Sequence, residues 1–360
     1  MSTATEEGKL RILSQGLHVP PDVAQAIAAF REGAPVVHQD YVTTSGLTLR
    51  LSEDVYVNAP LSERSEVQLA LFEGEFVVEY RDFRVPAEIL PFPSYLSQSN
   101  EDGVPYPFLI ATQTDRVRVA PIAGCSLRCR FCDLPYSFQY EKKSIPGLVQ
   151  AVQIALDDER LPARHVLVSG GTPTPTDRPY LLDAIREIVS ATNVPVDVMM
   201  VPWADRELPE ILYDSGVAHL FFNMELFDPK ARRTFMPGKA RTSPAEFLRL
   251  IEAAVNRFGK GKVLSLILVG LEDPSQTLQG VEALADMGCL PVLSPFRPSP
   301  VTPLAHLGLP VYETLRLVHD ESSRLLRSRQ LWLGPSCVPC QHNTLAFPGD
   351  ISPLRSPGLG

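Results

Sequence analysis

Three of the chain's six cysteines, Cys125, Cys129 and Cys132, fall within the stretch "GCSLRCRFCDLPYSF". Three thiolates spaced C-x3-C-x2-C make a compact tripod on one loop. Four-ligand zinc sites usually come as two well-separated pairs, so the spacing departs from the common zinc layout. Iron-sulfur clusters are held by Cys thiolates and normally take four. Three from one loop leave one iron of a cubane without a protein ligand, and an open iron is where a substrate or cofactor can bind. Arg128 and Arg130 would offset the negative charge of such a cluster. The bland alternatives are a zinc knuckle or three unconnected cysteines.

A loop of this kind needs a frame. From about Ala111 onward, short apolar runs alternate with helix-period stretches. The runs are "VRVAPIAG" (117–124), "HVLVSGG" (165–171), "PVDVMMVP" (195–202), "HLFFNMELF" (219–227), "KVLSLILVG" (262–270) and "LPVLSPFRP" (290–298). Continuous apolar strands separated by helices imply a parallel sheet covered on both faces. Among the helices, "SPAEFLRLIEAAVNRFG" is the best delimited: Ser243 caps, Pro244 opens the first turn, Glu246 completes a capping box and Gly259 ends it. Residues 1–110 read differently, as a helix ("PPDVAQAIAAFREG") followed by alternating stretches, hence a small α+β extension. Six βα units fit either an open doubly wound sheet or a partial barrel.

Ligands of parallel βα folds gather at the carboxyl ends of strands. The second run ends in Ser169, Gly170, Gly171 and Thr172, where glycine permits close backbone approach. In "LFFNMELFD", Asn223 and Glu225 share one side of a strand. Two polar side chains on a core strand are costly unless they meet a ligand or each other.

The triplet, with aromatic Phe131 before its third cysteine, resembles the signature of the radical S-adenosylmethionine (SAM) superfamily. The ordered strand-end motifs resemble that superfamily too. The combination "NMELFD…MPGK…FGKGKV…VGLED…PFRP" is similar to the biotin synthase and lipoyl synthase type. The resemblance covers roughly residues 111–300 and implies a (β/α)6 partial TIM barrel at 111–305. That barrel would lie between an N-terminal accessory region (1–110) and a C-terminal helix with a C-x2-C extension (306–360). It implies a [4Fe-4S] cluster on Cys125, Cys129 and Cys132, with SAM on the open iron. The residues from Ser169 to Thr172 would receive the SAM amino group, although Thr172 stands where the superfamily usually has an acidic residue. Asn223 and Glu225 would take the ribose, Arg241 or else Lys239 the carboxylate, and Leu268 to Gly270 would pack near adenine. A one-electron donor such as flavodoxin or ferredoxin is implied as partner.

The remaining motifs leave choices open. Cys337 and Cys340 form a C-x2-C with His342 two residues on. They read as ligands of a second iron-sulfur cluster, as zinc ligands with His342 and an outside group, or as a redox or structural pair. Cys289, before the sixth strand, reads as a small core residue. Arg297 ends the sixth strand and suits a substrate carboxylate or phosphate. Trp203 follows the third strand and would stack on a ring or roof the barrel.

The formal charge of -9 argues against a nucleic-acid partner. No apolar run approaches the roughly 20 residues of a membrane span, and the first residues lack signal-peptide character. A cytoplasmic location is the expectation. The expected activity is reductive cleavage of SAM followed by hydrogen abstraction from a small anionic biosynthetic molecule, leading to epimerisation, rearrangement or bond formation. Sulfur insertion is the alternative if the C-terminal pair binds a cluster. A non-catalytic iron-sulfur binding or assembly protein is the alternative of another class.

Overall fold

The computed structural model describes residues 4–30, 47–81, 83–203, 205 and 207–350; the rest of the expected terminal regions, 1–3, 31–46 and 351–360, lies outside the described residues. The chain opens with α1 (Ala4–Gln15) and α2 (Pro21–Phe30). Two small antiparallel sheets follow. Strands β1 (Leu47–Ser52) and β2 (Val55–Ala59) form a hairpin, while β3 (Gln68–Phe72), β4 (Glu75–Tyr80) and β5 (Phe83–Pro86) form a meander. β6 (Glu88–Ile89) then returns to pair with β1. Helix α1 has no counterpart in the sequence reading. Its buried face includes Gly8, Lys9 and Ser14, so apolar periodicity hardly marks it.

The main body begins with α3 (Tyr106–Leu109) and β7 (Ile110–Gln113), which turns back antiparallel into β8 (Arg116–Val119). Next, β9 (Ile122–Ala123), α4 (Leu134–Ser137) and β10 (Glu141–Lys142) build the cysteine loop, with β9 and β10 pairing across its base. Five helix-strand units follow: α5 (Ile145–Leu156) and β11 (His165–Val168); α6 (Arg178–Ser190) and β12 (Val196–Met200); α7 (Leu208–Asp214) and β13 (His219–Phe222); α8 (Pro229–Phe235), α9 (Pro244–Phe258) and β14 (Val263–Val269); α10 (Pro274–Asp286) and β15 (Leu290–Pro295). Helix α11 (Tyr312–Ser328) and a terminal irregular segment complete the chain.

The sheet runs β15-β14-β13-β12-β11-β8-β7. Strands β8 to β15 of that sheet are parallel and in sequence order, and the sheet curls into an open half-barrel. The six predicted strands are these six, and β7 adds an antiparallel edge. The strands are shorter than the apolar runs suggested. Proline at 121 has no N–H to donate, so the first run leaves the ladder after Val119 and resumes as β9 with a different partner. The fourth run leaves at Phe222 and returns for one isolated bridge to Ile267 at Glu225, which takes a left-handed backbone, φ 65°.

The best-capped helix shows why these segments fold locally. In α9, the Ser243 hydroxyl accepts from the Glu246 N–H at 3.2 Å, and Gly259 leaves the helix at φ +97°. Phe247, Ile251, Ala254 and Val255 form its buried face. Each large apolar side chain so placed contributes about 1.5–3 kcal/mol. One hydrophobic core runs from α1 through the half-barrel to Phe347. The C-terminal segment covers the β15 edge, where Gly334 and Leu345 donate to the carbonyls of Pro291 and Leu293. A paired edge does not template aggregation. Among the described residues, no helix is long and apolar enough to cross a membrane.

Candidate active site

The cysteine loop is seated by backbone contact. Ser126 N–H donates to the Thr172 carbonyl at 3.0 Å, and Arg130 N–H to Phe235 at 2.7 Å. The loop approaches the second strand so closely that a Cβ on Gly171 would lie 1.8 Å from the Gly124 carbonyl oxygen. Only glycine fits there. Cys125 Sγ accepts from the N–H groups of Leu127 and Thr172, at 3.3 and 3.2 Å. Burial, reinforced by the nearby Glu225 carboxylate, raises the Cys129 thiol well above its ordinary range. Burial likewise pushes Cys132 up to about 12, partly offset by the Leu134 N–H. Taking up a metal centre on these thiols would release protons.

All three cysteines line one cavity of about 440 Å³ at the carboxyl ends of the parallel strands. That volume falls in the range of small-molecule sites. The same cavity is lined by Ser169, Gly170, Gly171, Thr172, Asn223, Glu225, Lys239, Leu268 and Arg297. Cys129, Phe131, Phe235, Leu268 and Leu307 pack on a small apolar cluster that includes Leu226, Met236 and Phe296, which keeps water from the Cys129 side.

Asn223 and Glu225 are held rigidly. Asn223 Oδ1 accepts from Leu266 N–H at 3.1 Å. Glu225 exchanges backbone hydrogen bonds with Leu266 and Leu268, both 2.8 Å, across β14. Its carboxylate meets Lys239 Nζ at 2.8 Å, and the lysine side chain is only 2% exposed. A left-handed non-glycine residue costs on the order of 1–3 kcal/mol and survives only where its surroundings over-determine it. Arg232 supplies part of that constraint. It is 1% exposed and donates to the carbonyls of Met224 and Leu226, the residues flanking Glu225, at 3.0 and 2.9 Å.

Other predicted site residues are placed differently. Lys239, not Arg241, lines the cavity; Arg241 ends a short 3-10 turn and is exposed. Gly270 faces Pro310 instead, where a Cβ would lie 2.5 Å from the ring. Trp203 is buried beneath the Arg178 guanidinium, 5.1 Å from its ring, and does not line the cavity. Arg297 reaches the cavity wall, but two of its nitrogens donate to Asn58 Oδ1 and the Asn58 carbonyl, each at 2.5 Å. Burial lowers its pKa to about 10.

Cys337 and Cys340 lie elsewhere, against Asp115 and His165 at the amino ends of β8 and β11. His342 is not with them: its Nδ1 lies 3.0 Å from the Pro339 carbonyl and its Nε2 is buried with no partner. Cys289 is fully buried in the core.

Sequence reasoning passed over Arg118, Asp115, His165 and Arg232. Arg118 lines the cavity, and its signal was the alternation "RVRV" inside a run read as uniformly apolar. His165 likewise opens an apolar run. Arg232 had no signal, since "ARRTF" reads as a solvated face.

The donor set fits an iron-sulfur cluster better than a single ion. Among the described residues, the group of metal-ligating side chains gathered within 4.8 Å is Asp115, His165, Cys337 and Cys340; the loop cysteines are not so gathered. They surround open space instead.

Residues 119–285 match the family model described as the radical SAM superfamily. Over 158 residues the chain is 27% identical to the bacteriochlorophyllide c C-7(1)-hydroxylase of Chlorobaculum limnaeum, covering 38% of this chain and 37% of that protein. It is also 23% identical over 138 residues to a protein of Methanocaldococcus jannaschii named as a methylthiotransferase, 35% of this chain and 30% of that one. The chain thus spans about a third of the length of these curated relatives. A radical SAM methyltransferase structure from Sphaerobacter thermophilus superposes with a TM-score of 0.50 at 15% identity, covering 81% of this chain and 83% of that one. The cofactors shared across this superfamily are a [4Fe-4S] cluster and SAM. The stretch that is similar to the radical SAM superfamily is thus residues 119–285.

Proposed function

We propose that the chain is an enzyme that cleaves SAM reductively and abstracts hydrogen from a small, anionic substrate. The observation that carries this reading is the single cavity. It joins the three loop cysteines to the 169–172 backbone and to the Asn223, Glu225 and Lys239 side chains. Cys125, Cys129 and Cys132 would hold the cluster. When bound, cluster and SAM together supply one-electron sulfur–carbon cleavage and a carbon radical that abstracts hydrogen.

The protein's part is to bind, orient and keep dry. The backbone of Gly170 to Thr172 offers polar groups for the amino group of SAM. Asn223 and Glu225 suit its ribose hydroxyls, with Lys239 holding the Glu225 carboxylate in place at 2.8 Å. Leu268 and the cluster around Phe296 give an apolar wall. Arg118 and Arg297 bring two guanidinium groups to the lining beside the Asp133 carboxyl, and although Asn58 engages Arg297, their positive charge supports an anionic substrate. A flavodoxin- or ferredoxin-type protein would deliver the electron.

The test is 5'-deoxyadenosine formation by the anaerobically reconstituted, reduced protein, beside a Cys125→Ala/Cys129→Ala/Cys132→Ala variant. The reading expects product from the wild type alone. No product from fully loaded wild type would leave a non-catalytic iron-sulfur protein.

A further inference from the structure

At the opposite end of the strands from the cavity, four side chains converge from three parts of the chain. Asp115 precedes β8, His165 opens β11, and Cys337 and Cys340 come from the C-terminal segment. Cys337 Sγ lies 3.4 and 3.6 Å from the two Asp115 carboxylate oxygens. Cys340 Sγ lies 3.7 Å from Asp115 Oδ1 and 3.2 Å from His165 Nε2. His165 Nε2 stands 3.7 Å from Asp115 Oδ1. Zinc–ligand distances of about 2.0–2.3 Å put the donor atoms of a tetrahedron roughly 3.3–3.8 Å apart. Four of the six edges measure 3.2–3.7 Å, close to those values, and all the donor atoms lie within 4.8 Å of one another. An iron-sulfur cluster places several irons and bridging sulfides between its ligands and holds them wider than one ion does.

We infer that Asp115, His165, Cys337 and Cys340 bind a single divalent cation, zinc by the chemistry of the ligands. Two sulfurs, one imidazole and one carboxylate are a zinc donor set, and four protein ligands leave no open position, so the site is structural. The surroundings agree. His165 turns Nε2 toward the cysteines, while Asp197 Oδ2 stands 3.6 Å from its Nδ1, on the side where an outer carboxylate supports a ligating imidazole. Asp197 Oδ1 is itself held by His219 Nδ1 at 2.8 Å. Binding would release both thiol protons to solvent, and two thiolates, one carboxylate and the dication sum to one negative charge. Arg116 is placed to offset it, interacting electrostatically with both cysteines, Asp115 and Asp197. The ion would tie the C-terminal segment to the floor of the half-barrel. A sacrificial sulfur cluster at this pair would sit away from the cavity, which weighs against sulfur insertion.

The experiment uses the full chain carrying Cys125→Ala/Cys129→Ala/Cys132→Ala, so that the loop contributes no iron. Metals are measured by mass spectrometry after purification, and acid-labile sulfide alongside. The expectation is about one zinc per chain and no sulfide, with the zinc lost on adding Cys337→Ser. Cobalt exchange should give the intense visible bands of a tetrahedral thiolate site. If the variants do not fold, the same zinc count and chelator-induced drop in Tm are read on reconstituted wild type. A chain that holds no zinc after incubation with it, or that holds iron with matching sulfide on this pair, overturns the inference.

Discussion

At the carboxyl ends of the parallel strands, three thiols ride on one loop and face a cavity of about 440 Å³, with no fourth cysteine lining it among the described residues. At the amino ends, two thiols from a distant segment meet a carboxylate and an imidazole, all four ligand atoms within 4.8 Å of one another. The first arrangement keeps a position open and its polar groups ready for something that arrives. The second satisfies every donor within the protein. Cysteine count alone says nothing about which is which; the completeness of the ligand set does.

That contrast predicts that changes at the carboxyl end remove cluster or SAM binding, with or without a cost in stability, while changes near the amino end and the C-terminal seam act on stability alone. The largest effect is expected from the loop triple variant, whose 5'-deoxyadenosine formation should fall to background while far-ultraviolet circular dichroism stays that of the wild type. Next comes Lys239→Met, which strands the Glu225 charge in a largely buried pair. A loss of about 3 kcal/mol in urea unfolding is expected, together with weakened SAM binding by calorimetry. Unchanged SAM affinity would detach this pair from the site.

Gly171→Ala should cost roughly 1–3 kcal/mol and lower the iron retained per chain, because the new methyl meets the Gly124 carbonyl. Gly308→Ala, where a Cβ meets nothing within 4 Å, is the control and should retain wild-type iron. The smallest effect is expected at the C-terminal seam. His319 contacts Asp350 at 2.7 Å and Asp320 at 2.9 Å. Burial disfavours its imidazolium, yet those two carboxylates prevail and hold its pKa above the ordinary value. Its folded form therefore keeps a proton that the unfolded form gives up near pH 6.5, so the stability it lends is complete below that pH and is lost as pH rises through the folded value. His319→Gln should flatten that part of the pH–stability curve, by about 1 kcal/mol.

How much of this could be read from residues alone follows from distance along the chain. The six parallel strands were legible because each is a continuous apolar run, and α9 because its caps are local. The loop cysteines were legible for the same reason. What escaped is what depends on partners far away. Arg297 read as an open anion ligand because Asn58, 239 positions distant, gave no sign of claiming its guanidinium. Arg241 was preferred to Lys239 because both precede α9 and only the three-dimensional turn decides which faces inward. Asp115 and His165 sit 222 and 175 positions from the cysteines they meet, so no spacing rule applies to them.

The seam between the two ends of the chain bears on how the protein comes to be folded. Lys9 is buried, and its ammonium donates to the carbonyls of Gln341 and Ala346, which lie 332 and 337 positions away, at 2.8 and 2.9 Å. Helix α1 also packs on β1, β2 and β5, which follow it closely, whereas the Gln341 and Ala346 carbonyls follow Lys9 by 332 and 337 positions. Closing so long a loop is slow relative to local folding. The half-barrel can form its strands as they appear, and the joining of Lys9 to the 341–346 segment is then a late step of folding.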